Sequence, residues 1–151
     1  MLKVSMMLAD HAQAVGGKLY ISGGGWSITG PDPTPGAIAM DVKVPWDERD
    51  DEHRLLFDLV DADGQPVLVP TQFGVQPMRI EATLKLDVDQ LDSAVKPGTP
   101  LDAPFAINYG PVALAPGQRF EWRLSVNDHH DEDWCLPFTT RAASSSQAEA
   151  A

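Results

Sequence analysis

The sequence predicts an all-β fold, an antiparallel β-sandwich of eight to nine strands in two sheets. Three observations carry this. Apolar residues alternate with polar ones at a period of two in most segments. Glycine, proline, asparagine and aspartate recur between those segments at the spacing of turns. No stretch has a helical period, and the connections are too short for the crossovers that parallel strands need.

Taken in order, Val4, Met6 and Leu8 alternate as a first strand. Gly16-Gly17 turns the chain into Lys18-Leu19-Tyr20-Ile21-Ser22, rich in β-formers. The triplet Gly23-Gly24-Gly25 then predicts a bulge or a close backbone approach beneath a large ring such as Trp26. A phosphate cradle is excluded, because such a loop must open a helix and here Ile28 leads into Gly30-Pro31-Asp32-Pro33-Thr34-Pro35-Gly36. Ile38, Met40, Val42 and Val44 alternate next. Residues 54–60 and 65–69 flank Asp61-Ala62-Asp63-Gly64, whose Asp-Gly pair is a hairpin signal. Ile80, Ala82, Leu84, Leu86 and Val88 form the cleanest alternation of all. After a proline-rich loop come residues 105–109, then Pro116-Gly117. The last strand pair follows, with Phe120, Trp122, Leu124 and Val126 on one face. The polar run 127–133 is read as its turn, and Trp134, Leu136 and Phe138 return. Residues 1–141 form one domain by this reading, and the patternless residues 142–151 form a disordered tail.

Charge narrows the partners. Lysine and arginine number 11 against 22 aspartates and glutamates, a formal charge of −11. Nucleic acid and anionic membranes are excluded as partners, since both are held through basic patches. No apolar run reaches the length of a membrane helix. The N-terminal segment imitates a signal peptide, but Asp10 and His11 break its apolar part, so a cytoplasmic protein is expected. The single cysteine, Cys135, lies in an apolar strand and is read as a buried thiol in a reducing compartment.

The residues Gly16-Gly17-Lys18-Leu19-Tyr20-Ile21 with Gly23-Gly24-Gly25-Trp26, the hairpin Asp61-Ala62-Asp63-Gly64-Gln65-Pro66-Val67, and Pro116-Gly117-Gln118-Arg119-Phe120 through Val126 resemble an uncharacterised bacterial all-β family. The resemblance covers most of residues 3–140. It implies a compact β domain and supplies no catalytic residues.

For chemistry, Asp61, Asp63, Asp128, Asp131 and Asp133 could converge as a calcium site if both acidic turns meet at one end of the sandwich. Set beside this is ordinary turn chemistry, in which Asp accepts from its own backbone. His129 and His130 with Asp131 or Asp133 offer ligands for a transition metal, but adjacent residues in a strand point to opposite sides. No serine sits in Gly-x-Ser-x-Gly, and no nucleophile, base and orienting group converge in sequence. The chain is therefore read as non-enzymatic and without a cofactor. Trp26, Trp46 and Trp134 could stack on a flat ligand, and Trp46, beside the acidic loop 47–52, is expected to be exposed at an interface. The leading expectation is a module that works through protein contacts, as a homo-oligomer or accessory subunit. The alternative is a carbohydrate- or calcium-binding module.

Overall fold

A computed structural model describes residues 2–143 of the chain. The strands are β1 (Lys3–Ala9), β2 (His11–Val15), β3 (Lys18–Ser22), β4 (Ile28–Thr29), β5 (Gly36–Val44), β6 (His53–Asp61), β7 (Leu68–Thr71), β8 (Gly74–Pro77), β9 (Arg79–Leu84), β10 (Leu101–Tyr109), β11 (Arg119–Val126) and β12 (His129–Thr140). Among the described residues there is no α-helix, only single 3-10 turns at Trp46–Glu48 and Val88–Gln90. The all-β expectation therefore holds. The expected tail lies outside the described residues from position 144 onward.

The strand count and the number of sheets are corrected. One sheet has the order β1-β5-β10 and a second the order β4-β12-β11-β6-β9, while β2-β3 and β7-β8 form separate two-stranded ribbons. All neighbours run antiparallel except β4 beside β12. Part of the excess over eight or nine strands is β2, which follows β1 after Asp10 and pairs with β3 where no strand pattern was apparent.

The two larger sheets bury one shared core. Ile38, Met40, Val42 and Val44 of β5 pack in it with Leu55, Phe57 and Leu59 of β6 and with Phe120, Trp122, Leu124 and Val126 of β11. Trp122 is only 1% exposed, as the period of two requires. Burial of each large apolar side chain here stabilises by about 1.5–3 kcal/mol. The opposite face of β5 is also covered: Ala37 and Ala39 pack with Ala9 and Ala12 in a second cluster. Small residues let the β2-β3 ribbon lie close. Asn108 ties it down, accepting from the Ala12 N–H at 3.1 Å and donating to the Ala12 carbonyl at 2.8 Å.

Three further expectations change. The turn between β11 and β12 is two residues, not seven. Asn127 and Asp128 have φ of +49° and +67°, the left-handed pair of a tight type I′ hairpin. The remaining polar residues belong to β12, where 131–134 bulge against Leu124, between the pairs Ser125 with His130 and Arg123 with Cys135. The segment after Gly64 touches β6 briefly, through the Asp61 N–H to Gln65 carbonyl bond, a Val60–Pro66 bridge and the Val67 N–H to Leu59 carbonyl bond. Pro66 and Pro70 cannot donate to a ladder, and the chain leaves to pair as β7 with β8. Finally, the glycine triplet does make a close approach, but not beneath Trp26. A Cβ on Gly24 would meet Ile21 at 2.7 Å and the Met7 sulfur at 2.9 Å.

Candidate functional site

The acidic turns do not meet. Asp61 pairs with Phe120 near the start of β11, whereas Asp128 follows Val126 at its end. Those ends are about 20 Å apart at the usual rise of a strand. Asp61, Asp131 and Asp128 have local partners. Asp61 Oδ1 accepts from the N–H groups of Asp63 and Gln65, both at 2.9 Å. Asp131 Oδ1 accepts from the Asp133 N–H at 2.9 Å, and Asp128 pairs with Arg54 at 2.8 Å. Among the described residues no three His, Cys, Asp or Glu side chains are placed to hold a metal ion. The expected calcium cluster of Asp61, Asp63, Asp128, Asp131 and Asp133 is corrected accordingly, because one strand's length separates its halves.

Trp46 is half-buried rather than open. The Arg49 guanidinium lies 4.5 Å over its ring, and Arg49 Nη1 donates to the Trp46 carbonyl at 2.8 Å. One face of the ring is thus already occupied by the chain itself.

Cys135 is half-buried too, on the outer face opposite Arg123. Trp134, Leu136 and Phe138 occupy the alternate positions, so the thiol between them had to point away from the core. His130 Nδ1 donates to the Leu124 carbonyl at 2.7 Å, which leaves Nε2 as the lone-pair nitrogen, 3.8 Å from Cys135 Sγ. Burial, followed by the Glu121 charge, pushes the thiol up from its ordinary value. At neutral pH it stays protonated, the wrong state for a nucleophile.

Two cavities open at different places along the core. One, of about 30 Å³, is lined by Trp26, Tyr109, Leu114, Trp122 and Phe138. The buried indole N–H groups of Trp26 and Trp122 have no hydrogen-bond partner. Trp122 turns toward the Tyr109 hydroxyl without reaching hydrogen-bond geometry. Room of this size suits one or two waters, which would accept from the indoles.

The second is a groove open to solvent, about 300 Å³ in volume, lined by Leu2, Glu48, His53, Val126, Asn127, His129 and Trp134. His53 is 4% exposed. Asn127 Oδ1 accepts from the Arg54 N–H at 2.8 Å, so its amide nitrogen is the group that faces His53 Nδ1 at 3.4 Å. Nδ1 is then the acceptor, and Nε2 carries the proton. That buried Nε2 has no partner. His129 packs edge-on against Trp134 at 5.8 Å. The turn residue Asn127 thus joins two segments 74 positions apart. The sequence reading missed His53, although its alternation with Leu55, Phe57 and Leu59 was a usable signal.

One surface feature was also missed. The β7-β8 arm carries Leu68, Phe73 and Val75, all exposed, with Phe73 at 80%. No charged residue falls between positions 65 and 78, in a chain with 33 of them.

An all-β domain with a closed core and an uncharged arm is the class these features define. The chain belongs to the family described as Family of unknown function (DUF6941), whose model matches residues 4–139. The expected resemblance to a family of unassigned function is therefore shown. No curated protein and no solved structure matches the chain.

Proposed function

We propose that this chain is a non-enzymatic accessory module, working in a reducing compartment, that binds a protein partner through the β7-β8 arm. The observation that supports it is the tip of that arm, where Phe73 is 80% exposed on a segment with no charged side chain. Exposed single apolar residues are ordinary, but Leu68, Phe73 and Val75 share one small ribbon. An uncharged ribbon loses little on leaving water, whereas the body's net charge of −11 keeps the molecule from associating elsewhere. Each strand of the ribbon holds one proline, Pro70 in β7 and Pro77 in β8, so its outer edges offer a partner strand only a short run of donors and the apolar side chains carry the contact. The partner reading is of a protein with an apolar slot for Phe73 beside a free strand edge.

Phe73→Ser tests this. Because the side chain touches little of its own fold, the melting midpoint should stay put. Recovery of a stoichiometric partner, or self-association followed by sedimentation, should weaken about ten-fold or more. Unaltered association in the Phe73→Ser protein would remove the arm from consideration.

A further inference from the structure

The strands β1, β10, β4 and β9 end the two larger sheets, and they differ in what they leave open. On β1 the Leu8 carbonyl already accepts from the Gly25 N–H at 2.7 Å, β10 holds Pro104, and β4 is two residues long. None of these features occurs on β9, whose six residues include no proline and where Arg79, Glu81 and Thr83 are exposed. The Leu59 N–H donates to the Met78 carbonyl at 3.1 Å, so the backbone groups of positions 80 and 82, in step with 78, face β6. Those of Arg79, Glu81 and Thr83 therefore point outward. Among the described residues nothing pairs with them, and the loop 85–100 makes its backbone bonds within itself. Sheet edges of this kind are normally blunted or covered.

We infer that two copies of this chain pair through β9, edge to edge about a two-fold axis at Ile80, so that one sheet continues through the dimer. This rests on the reading of the arm as the contact region, since Gly74–Pro77 leads straight into β9, and it names the arm's partner as a second copy. Charge selects the register. Centring the axis on Arg79 or on Glu81 sets like charges opposite each other, and centring it on Ala82 brings Arg79 to the partner's Lys85. Centring it on Ile80 sets Arg79 opposite the partner's Glu81, and the symmetry repeats the pair. Arg79 can serve two carboxylates, because its Nε donates to Asp58 Oδ1 at 2.7 Å and its terminal nitrogens remain. On the inner face the half-buried Ile80 meets its own copy, in the kind of pair whose side chains come closest. Thr83 falls opposite the partner's Pro77. The acidic residues 87–92 thus approach an arm with no charged residue between positions 65 and 78, and not a second acidic loop.

The experiment follows the full chain by sedimentation velocity over a dilution series, with circular dichroism as the check on folding. The parent should show a monomer–dimer equilibrium. Glu81→Arg opposes two arginines and Arg79→Glu opposes two glutamates, so each alone should weaken dimerisation about ten-fold or more. Mixed in equal amounts, the two variants carry opposite charges at each facing position and should pair about as tightly as the parent. Should Arg79→Glu fail to fold for want of its bond to Asp58, Glu81→Pro replaces it. That variant deletes an outward N–H that β6 does not use, and it should weaken the dimer about ten-fold. The inference is overturned by a parent that stays monomeric at every concentration, by folded variants that dimerise as the parent does, or by a mixture of the two charge variants that recovers nothing. A monomeric parent that recovers a different protein through Phe73 would remove the second copy and leave the arm standing. A dimer that responds to Glu81→Arg but not to Phe73→Ser would do the reverse.

Discussion

Tyr109 closes over Trp122 with ring centroids 5.2 Å apart, and this contact makes a single phenol sensitive to alkali. Burial pushes the Tyr109 hydroxyl above its ordinary value of 10.0. The folded chain therefore holds that proton more tightly than the unfolded chain does. The stability linked to it is complete below pH 10 and is lost as the pH rises through the folded-state value. Urea midpoints compared at about pH 9 and about pH 10.5 should fall less in Tyr109→Phe than in the parent, since the variant has no phenol to ionise. An identical fall in both proteins would show that Tyr109 is not the group responsible. At this scale the sequence was legible where alternation was strong. Trp122 inside followed from counting by two, whereas Trp134, weighed above as a platform for a flat ligand, is a core residue only 6% exposed. Cys135 was misplaced although the same count puts it outside, because an apolar neighbourhood in sequence was taken for one in space. His53 was passed over because a histidine does not announce itself in an apolar pattern.

Among the elements, the strands were legible and the turns between them were only partly so. A turn does form at Asp61, with Gly64 N–H donating to the Asp61 carbonyl at 3.0 Å, but the hairpin its Asp-Gly pair signalled goes no further than a short bridge. Its carboxylate serves the turn, not a metal. Asp61→Ala strands two exposed N–H groups and should destabilise by about 1 kcal/mol, read from the urea midpoint. Calcium, against a chelator control, should leave the melting midpoint of both parent and variant unmoved; a rise with calcium in the parent alone would put a metal back at this turn. The β11-β12 connection was harder, because polar residues fill bulges and turns alike. Only the positive φ of Asn127 and Asp128 separates a two-residue hairpin followed by a bulge from one long loop. Likewise β9 stops at Leu84 although the alternation runs to Val88, where Asp87 accepts from the Asp89 N–H and starts a 3-10 turn.

For the molecule as a whole, strand order lay beyond a one-dimensional reading. Alternation tells which side of a strand is apolar, not which strand lies beside it. Nothing local in β5 indicates that its neighbours are β1 and β10, one just upstream and one far downstream. Yet β5 is buried on both faces, between the main core and the alanine cluster under β2-β3. A chain ending at residue 100 keeps β1, β5 and β6 but lacks β10, β11 and β12. Size exclusion and circular dichroism should find it unfolded or aggregated, and a compact β signal from it would contradict the shared core. Synthesis proceeds from the N-terminus, so Gly36–Val44 leaves the ribosome with one side of its ladder open. It stays so until Leu101–Tyr109 emerges. Throughout that interval the nascent chain offers chaperones a bare strand that the finished protein conceals completely.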